Sequence, residues 1–137
     1  MSAGYSGTPL AKKLGIKTGN TILLYNAPDH YWDLFSDTPD DLKELHDIVK
    51  EEADFIHIFC KTKEELEKVI PEYKIGLKKT GMLWVSWPKG ASKIPTYLKR
   101  DYIRTFVLQN GLVDIKVAAV DEDWSGLKFV YRIADRK

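Results

Sequence analysis

Four short stretches hold the side chains of this sequence that could do chemistry. They are Asn26-Ala27-Pro28-Asp29-His30, Cys60-Lys61-Thr62, Ser86-Trp87-Pro88-Lys89 with Lys93 beyond it, and Asp121-Glu122-Asp123-Trp124. A histidine placed like His30 can pass protons or hydrogen-bond a ligand, although a His-Tyr-Trp cluster more often packs a helix onto a sheet. Lys61, Lys89 and Lys93 precede or follow the expected starts of two helices, where free N–H groups and positive charge suit an anion. Solvated loop lysines would read the same way. Cys60 lies beside Lys61 and a helix start, surroundings that lower a thiol pKa. The plainer reading is a small buried apolar residue, because no histidine is placed to activate it. Ser86 has Val85 and Trp87 as neighbours rather than the glycines of a nucleophile elbow, which disfavours hydrolase chemistry. Asp121, Glu122 and Asp123 could chelate a cation, but adjacent acids in a turn are usually solvated. His30, His46, His57 and Cys60 show no ligand pairing, so no metal is expected.

The elements around these stretches alternate between strand and helix patterns. Thr8 and Pro9 read as the cap and first position of a short helix, Leu10 to Leu14, ended by Gly15. Thr21 to Tyr25, Phe55 to Cys60 and Met82 to Ser86 are unbroken apolar runs, the mark of strands covered on both faces. His57, between Phe55 and Phe59, reads as a buried, hydrogen-bonded core residue, and Trp84 as core. His30 to Phe35 reads as a brief helix. Residues 38–52 read as a capped helix or as a stretch containing a short strand. Thr62 and Glu65 form a capping box before a helix that Pro71 should kink or restart and Gly81 should close. Trp87 to Lys93 reads as a loop in which Trp87 could wall a pocket. A helix follows over 101–109. Residues 113–120 and 127–133 read as an antiparallel pair around an acidic turn holding Trp124, a tryptophan that either folds back on the sheet or contacts a partner.

The sum is a single α/β domain over residues 1–137, with residues 1–18 as an N-terminal helical segment packed on it. The expected architecture is a Rossmann-like three-layer sandwich with a short, mostly parallel sheet and a C-terminal antiparallel hairpin. Ligands of such sheets bind beyond the carboxyl ends of the strands, which gathers the four stretches at one mouth. Lysine plus arginine number 21 against 20 acids, which gives no general footprint for nucleic acid. A single cysteine points to a reducing, cytoplasmic setting. Residues 1–7 lack the apolar core of a secretory leader, and no apolar run is long enough to span a membrane.

Three runs resemble a family of small bacterial proteins known only as a domain of unknown function. They are Gly4 to Gly15, Leu83 to Lys89, and Gly111 to Val117 with Val120 to Lys128. That resemblance implies bacterial origin and fold more than activity. The chain is also similar, more widely, to class I methyltransferases. There the first strand carries an acid and opens into a glycine-rich turn, whereas this chain has Leu24, Asn26 and Pro28, and Pro28 lacks an N–H. Glu44 and Asp47 are the acids in the region where ribose hydroxyls would be held. On this ground S-adenosylmethionine is not expected as a cofactor, nor is any other. The leading expectation is a non-catalytic or regulatory module binding a small anionic ligand or a protein partner. Its ligand residues would be Asn26, Asp29, His30, Lys61, Thr62, Trp87, Lys89 and Lys93. The alternatives are a small enzyme, an atypical methyltransferase or an anion-handling transferase using His30 and Lys89, and a protein that self-associates through the terminal hairpin and Trp124.

Overall fold

A computed structural model of the chain describes residues 8–90 and 92–136; the expectations for residues 1–7 lie outside them. Among the described residues six strands form one sheet: β1 (Thr21–Tyr25), β2 (Lys43–Leu45), β3 (Ala53–Phe59), β4 (Leu77–Pro88), β5 (Leu112–Ala119) and β6 (Trp124–Tyr131). Their order across the sheet is β2-β1-β3-β4-β6-β5. The first four run parallel, and β6 pairs antiparallel with both β4 and β5. The helices are α1 (Leu10–Leu14), α2 (Lys63–Lys74) and α3 (Arg100–Gln109), with a 3-10 turn at Tyr31–Leu34. A Rossmann-like, mixed α/β sheet ending in an antiparallel hairpin is therefore what the chain forms.

Strand alternation sorts the core by chemistry, because successive side chains face opposite ways. Ile56, Ile58, Leu83 and Val85 point to the face covered by α2 and α3, where they meet Leu66, Val69, Ile70, Ile103 and Val107. Phe55, Phe59 and Trp84 point to the other face, where Leu10 and Leu14 of α1, Tyr31 of the 3-10 turn, the following Phe35, and Trp124 pack on them. The face under α2 and α3 is thus the richer in aliphatic side chains, and the face under α1 gathers an aromatic cluster around His57.

Several boundaries differ from the sequence reading. Residues 38–52 contain no helix; Lys43–Leu45 pairs with β1 as the short strand held open as the alternative, and Asp41 and Glu51 take left-handed backbone at φ 59° and 51°. The helix after Thr62 runs through Pro71 and stops at Lys74, and β4 begins at Leu77 rather than after Gly81. Gly81 closes no helix: a Cβ there would stand 2.9 Å from the Asp54 carbonyl, so the glycine marks close backbone approach beside a register shift between β3 and β4. Trp124 starts β6 instead of sitting in the turn.

The cap of α1 also departs from expectation. Pro9, not Thr8, is the N-cap, without a side-chain bond. The Asp37 carboxylate accepts hydrogen bonds from the Ala11 and Lys12 amides at 3.0 and 3.1 Å. Replacing Asp37 by alanine should remove about 1 kcal/mol of stability, the usual worth of a cap, seen as a lower urea midpoint. Gly15 ends the helix at φ 93°, as the sequence indicates.

Candidate functional site

From β1 the chain steps to β2 on one side, while β3 lies on the other. The carboxyl ends of β1 and β3 therefore flank the crevice where the strand order reverses, the place such sheets bind ligands. β1 ends at Tyr25, and Asn26 follows it, exposed and left-handed at φ 54°. Asparagine adopts this conformation at little cost, so the chain turns there as a glycine would let it. Asp29 and His30 follow, both exposed.

His30 meets a residue that the sequence reading left as solvated. Its Nε2 lies 3.7 Å from Asp121 Oδ2 in the turn between β5 and β6, with the histidine side chain 58% exposed and the aspartate 10%. The other Asp121 oxygen accepts from the Asp123 and Trp124 amides, each at 2.8 Å. Burial pushes the Asp121 carboxyl up, and those two amide bonds oppose the rise. Triple acidity hides this role, since only the Asp-x-x spacing typical of a side chain bonding the next amides sets Asp121 apart from its neighbours. A buried carboxylate beside an exposed imidazole can orient the ring and hold it as a proton acceptor.

The expected anion position at the start of α2 is taken by the protein itself. Thr62 Oγ1 accepts from the Glu65 amide at 3.1 Å, one half of the expected capping box; in the other half Glu65 takes the Lys61 amide in place of that of Thr62. The Glu65 carboxylate accepts from the Lys61 amide and the Tyr25 hydroxyl, both at 2.9 Å. Burial and that bond push the Tyr25 phenol up to about 12. Any anion at this helix start would have to displace Glu65.

The eight residues read as ligand-binding do not converge. Asn26, Asp29 and His30 gather on the β1 side with Asp121. Lys61 and Thr62 instead line a groove of about 590 Å³ with Lys63, Glu64, Pro95, Thr96 and Tyr97. Lys89 is half-buried, its amide donating to the Asp123 carbonyl at 2.8 Å, and Lys93 is exposed. Trp87 lies within β4, which continues through Pro88, and its indole packs in the core under α2 and α3 at 8% exposure. Trp124 is likewise packed, 6% exposed and edge-on to Phe59 at 5.1 Å, folded back on the sheet. A second groove, about 610 Å³, includes Tyr25, His46 and Asp47, beside α2 residues Lys68, Glu72 and Tyr73.

Beneath the mouth runs a buried polar chain. The Tyr31 hydroxyl lies 2.9 Å from His57 Nδ1, and His57 Nε2 lies 2.7 Å from Ser86 Oγ. His57 is stacked on Phe59 at 4.3 Å, and burial pulls its pKa down to about 3. It is the hydrogen-bonded core histidine the sequence suggests, now with both partners known. Cys60 is fully buried, and burial pushes its thiol up to about 12. The native protein should therefore react with a disulfide reagent such as Ellman's at a small fraction of the rate seen after unfolding. Among the described residues no group of three potential metal ligands is gathered, and no helix is long and apolar enough to cross a membrane.

Comparison with solved structures fixes the fold. A SAM-dependent methyltransferase from Aquifex aeolicus superposes with a TM-score of 0.62 at 14% identity, covering 86% of this chain and 85% of that one. Aeropyrum pernix fibrillarin, in complex with natively bound S-adenosyl-L-methionine, gives 0.59 at 14% identity, covering 88% of this chain and 73% of that one. The ribosomal protein L11 methylase from Lactobacillus delbrueckii gives 0.58 at 14%, covering 88% and 74%. The fold is methyltransferase-like. No family model matches the chain and no curated protein does, so the resemblance to small bacterial proteins rests on its sequence runs alone. The methyltransferase-like neighbours overturn the expectation that S-adenosylmethionine has no place here. That expectation leaned on missing glycines, and the left-handed Asn26 shows that the turn after β1 forms without them.

Proposed function

We propose that this chain is a methyltransferase-type module that binds an S-adenosyl ligand at the carboxyl ends of β1 and β3. The observation that carries the reading is the left-handed Asn26 at the switch point of a methyltransferase-like sheet. Asp47 stands two residues past β2 in one groove with Tyr25 and His46, about twenty residues beyond the β1 turn, where an acid can take ribose hydroxyls. Glu44 is the weaker candidate for that role, because it accepts a hydrogen bond from the Trp32 indole at 3.2 Å. Asp29 and His30 form the open side of the turn. S-adenosylmethionine, when bound, supplies an electrophilic methyl group.

The pairing of His30 with Asp121 favours one further step within this reading, a transferase rather than a passive sensor. His30 would take the proton that a hydroxyl or amine acceptor loses, with Asp121 orienting the ring. Binding without turnover would leave the regulatory module as the function.

The test is thermal unfolding with S-adenosylmethionine and S-adenosylhomocysteine. Ligand at a hundredfold excess over Kd adds about 2.7 kcal/mol, a rise of several degrees in Tm for a domain of this size. Asn26→Val should abolish the rise, because a β-branched residue resists the left-handed region, while Asn26→Gly should keep it. A flat response by the unsubstituted protein would defeat the proposal.

A further inference from the structure

The groove between the start of α2 and the segment after β4 holds an aromatic ring in an unusual setting. Tyr97 is 91% exposed, yet its backbone is pinned on both sides. The Thr96 hydroxyl donates to the Lys61 carbonyl at 2.6 Å and accepts from the Leu98 amide at 3.0 Å. Leu98 is buried in the aliphatic core at 1% exposure. The ring is therefore held out into solvent by an anchored segment. A ring held over a groove in this way offers an open face for a flat ligand to stack on.

The charge around that ring has one prevailing sign. Lys61 and Lys63 line the groove with Pro95 and Thr96, and Lys93, Lys99 and Arg100 flank it along the chain, all exposed. Against these five cations stand Glu64 and Asp101, while Glu67 is engaged by the Tyr102 hydroxyl. Lys63 lies over the Tyr102 ring at 4.6 Å, which fixes its ammonium near the groove rather than leaving it to sweep through solvent. The chain as a whole is close to neutral at +1, so this end concentrates positive charge that other faces offset. The α2 start adds no free anion site, since Glu65 fills it; the lysine side chains must do that work.

An exposed flat ring beside lysines fits a flat ring that carries phosphate. We propose that this groove binds a nucleoside phosphate, its base stacked on Tyr97 and its phosphate held by Lys61 and Lys63. Stacking is tolerant of base identity, because every base offers a π face, and the lysine contacts make binding sensitive to salt. The ligand is either a free nucleotide or a residue of a single strand, and the two share this chemistry. This site is separate from the adenosyl crevice, so its test needs no S-adenosylmethionine.

Fluorescence anisotropy of a short fluorescein-labelled oligouridylate, titrated with the full chain at low salt, reads the site directly. Saturable binding is expected. Tyr97→Ala should weaken it about tenfold, in line with the loss of one base–aromatic stack, and Tyr97→Phe should restore it. The double substitution Lys61→Ala with Lys63→Ala should weaken it and flatten its salt dependence. Full displacement by uridine monophosphate at concentrations comparable to the oligomer identifies a free-nucleotide site, and failure to displace identifies a strand site. Absence of saturable binding, or binding that Tyr97→Ala leaves unchanged, overturns the proposal.

Discussion

Acidification from pH 6.5 toward pH 3 should strip stability from the folded state through His57. Burial depresses its pKa to about 3, while the unfolded chain takes up a proton near 6.5. The unfolded state thus binds more protons across that window, and stability falls as the pH falls. The contribution is fully present above pH 6.5 and lost toward pH 3 at about 1.4 kcal/mol per pH unit. Urea denaturation across this range should show the loss in the native sequence and a shallower slope in His57→Gln, whose amide can still bond Tyr31 and Ser86. Parallel slopes would mean that the imidazole titrates freely in the fold. At the alkaline end the sign reverses, because burial raises Cys60 and Tyr25 to about 12. Their contribution is held below the unfolded pKa and falls away as the pH climbs through the folded one.

Truncating Trp84 should be the most damaging single change in the aromatic core. The side chain is fully buried, and its indole N–H donates to the Leu14 carbonyl at 2.8 Å. That bond ties the sheet to the last turn of α1, a helix of five residues that cannot hold its shape alone. The indole exists at the expense of a neighbour: a Cβ on Gly126 of β6 would stand 3.0 Å from the ring. Trp84→Ala should cost about 3–5 kcal/mol, the usual loss for a buried tryptophan, and should also release the Leu10–Leu14 amides to rapid hydrogen exchange. Trp84→Phe should keep much of the packing and lose the tie. Retained protection in α1 after Trp84→Ala would show that Asp37 and the Lys116–Lys13 bond secure that helix without the indole.

What was legible in the sequence follows from how local the signal was. The three apolar runs announced two-faced strands because burial on both faces leaves no alternation to read, and the Thr62–Glu65 box announced α2 because capping is a contact between near neighbours. The strand at Lys43–Leu45 was legible only as an alternative, since three exposed or half-buried residues at a sheet edge owe their conformation to pairing with β1. In sequence β4 looks shorter at both ends than it is, because Gly81 resembles a helix stop and Pro88 a strand stop. Its true limits depend on where β3 and β6 lie.

The site was harder still. Asn26 reads in sequence as a broken glycine turn, and only its φ reveals a turn already made. His30 was singled out, but its partner Asp121 lies 91 residues away in the chain and is disguised by Glu122 and Asp123. Lys61 and Thr62 were read as anion ligands because the sequence does not show that Glu65 and Tyr25 fold back to fill the place. Tyr97 carried no periodic or motif signal at all. Its importance comes from exposure, which only the fold defines.

The most direct test of the central claim is an amide NMR titration of the labelled protein with S-adenosylmethionine. The account expects saturable shifts at Asn26, Asp29 and His30, at His46 and Asp47, and at Phe59 and Cys60, the residues around the carboxyl ends of β1, β2 and β3. Amides of α3, which takes no part in that crevice, should stay in place. No saturable shift, or shifts confined to residues away from that crevice, would contradict it.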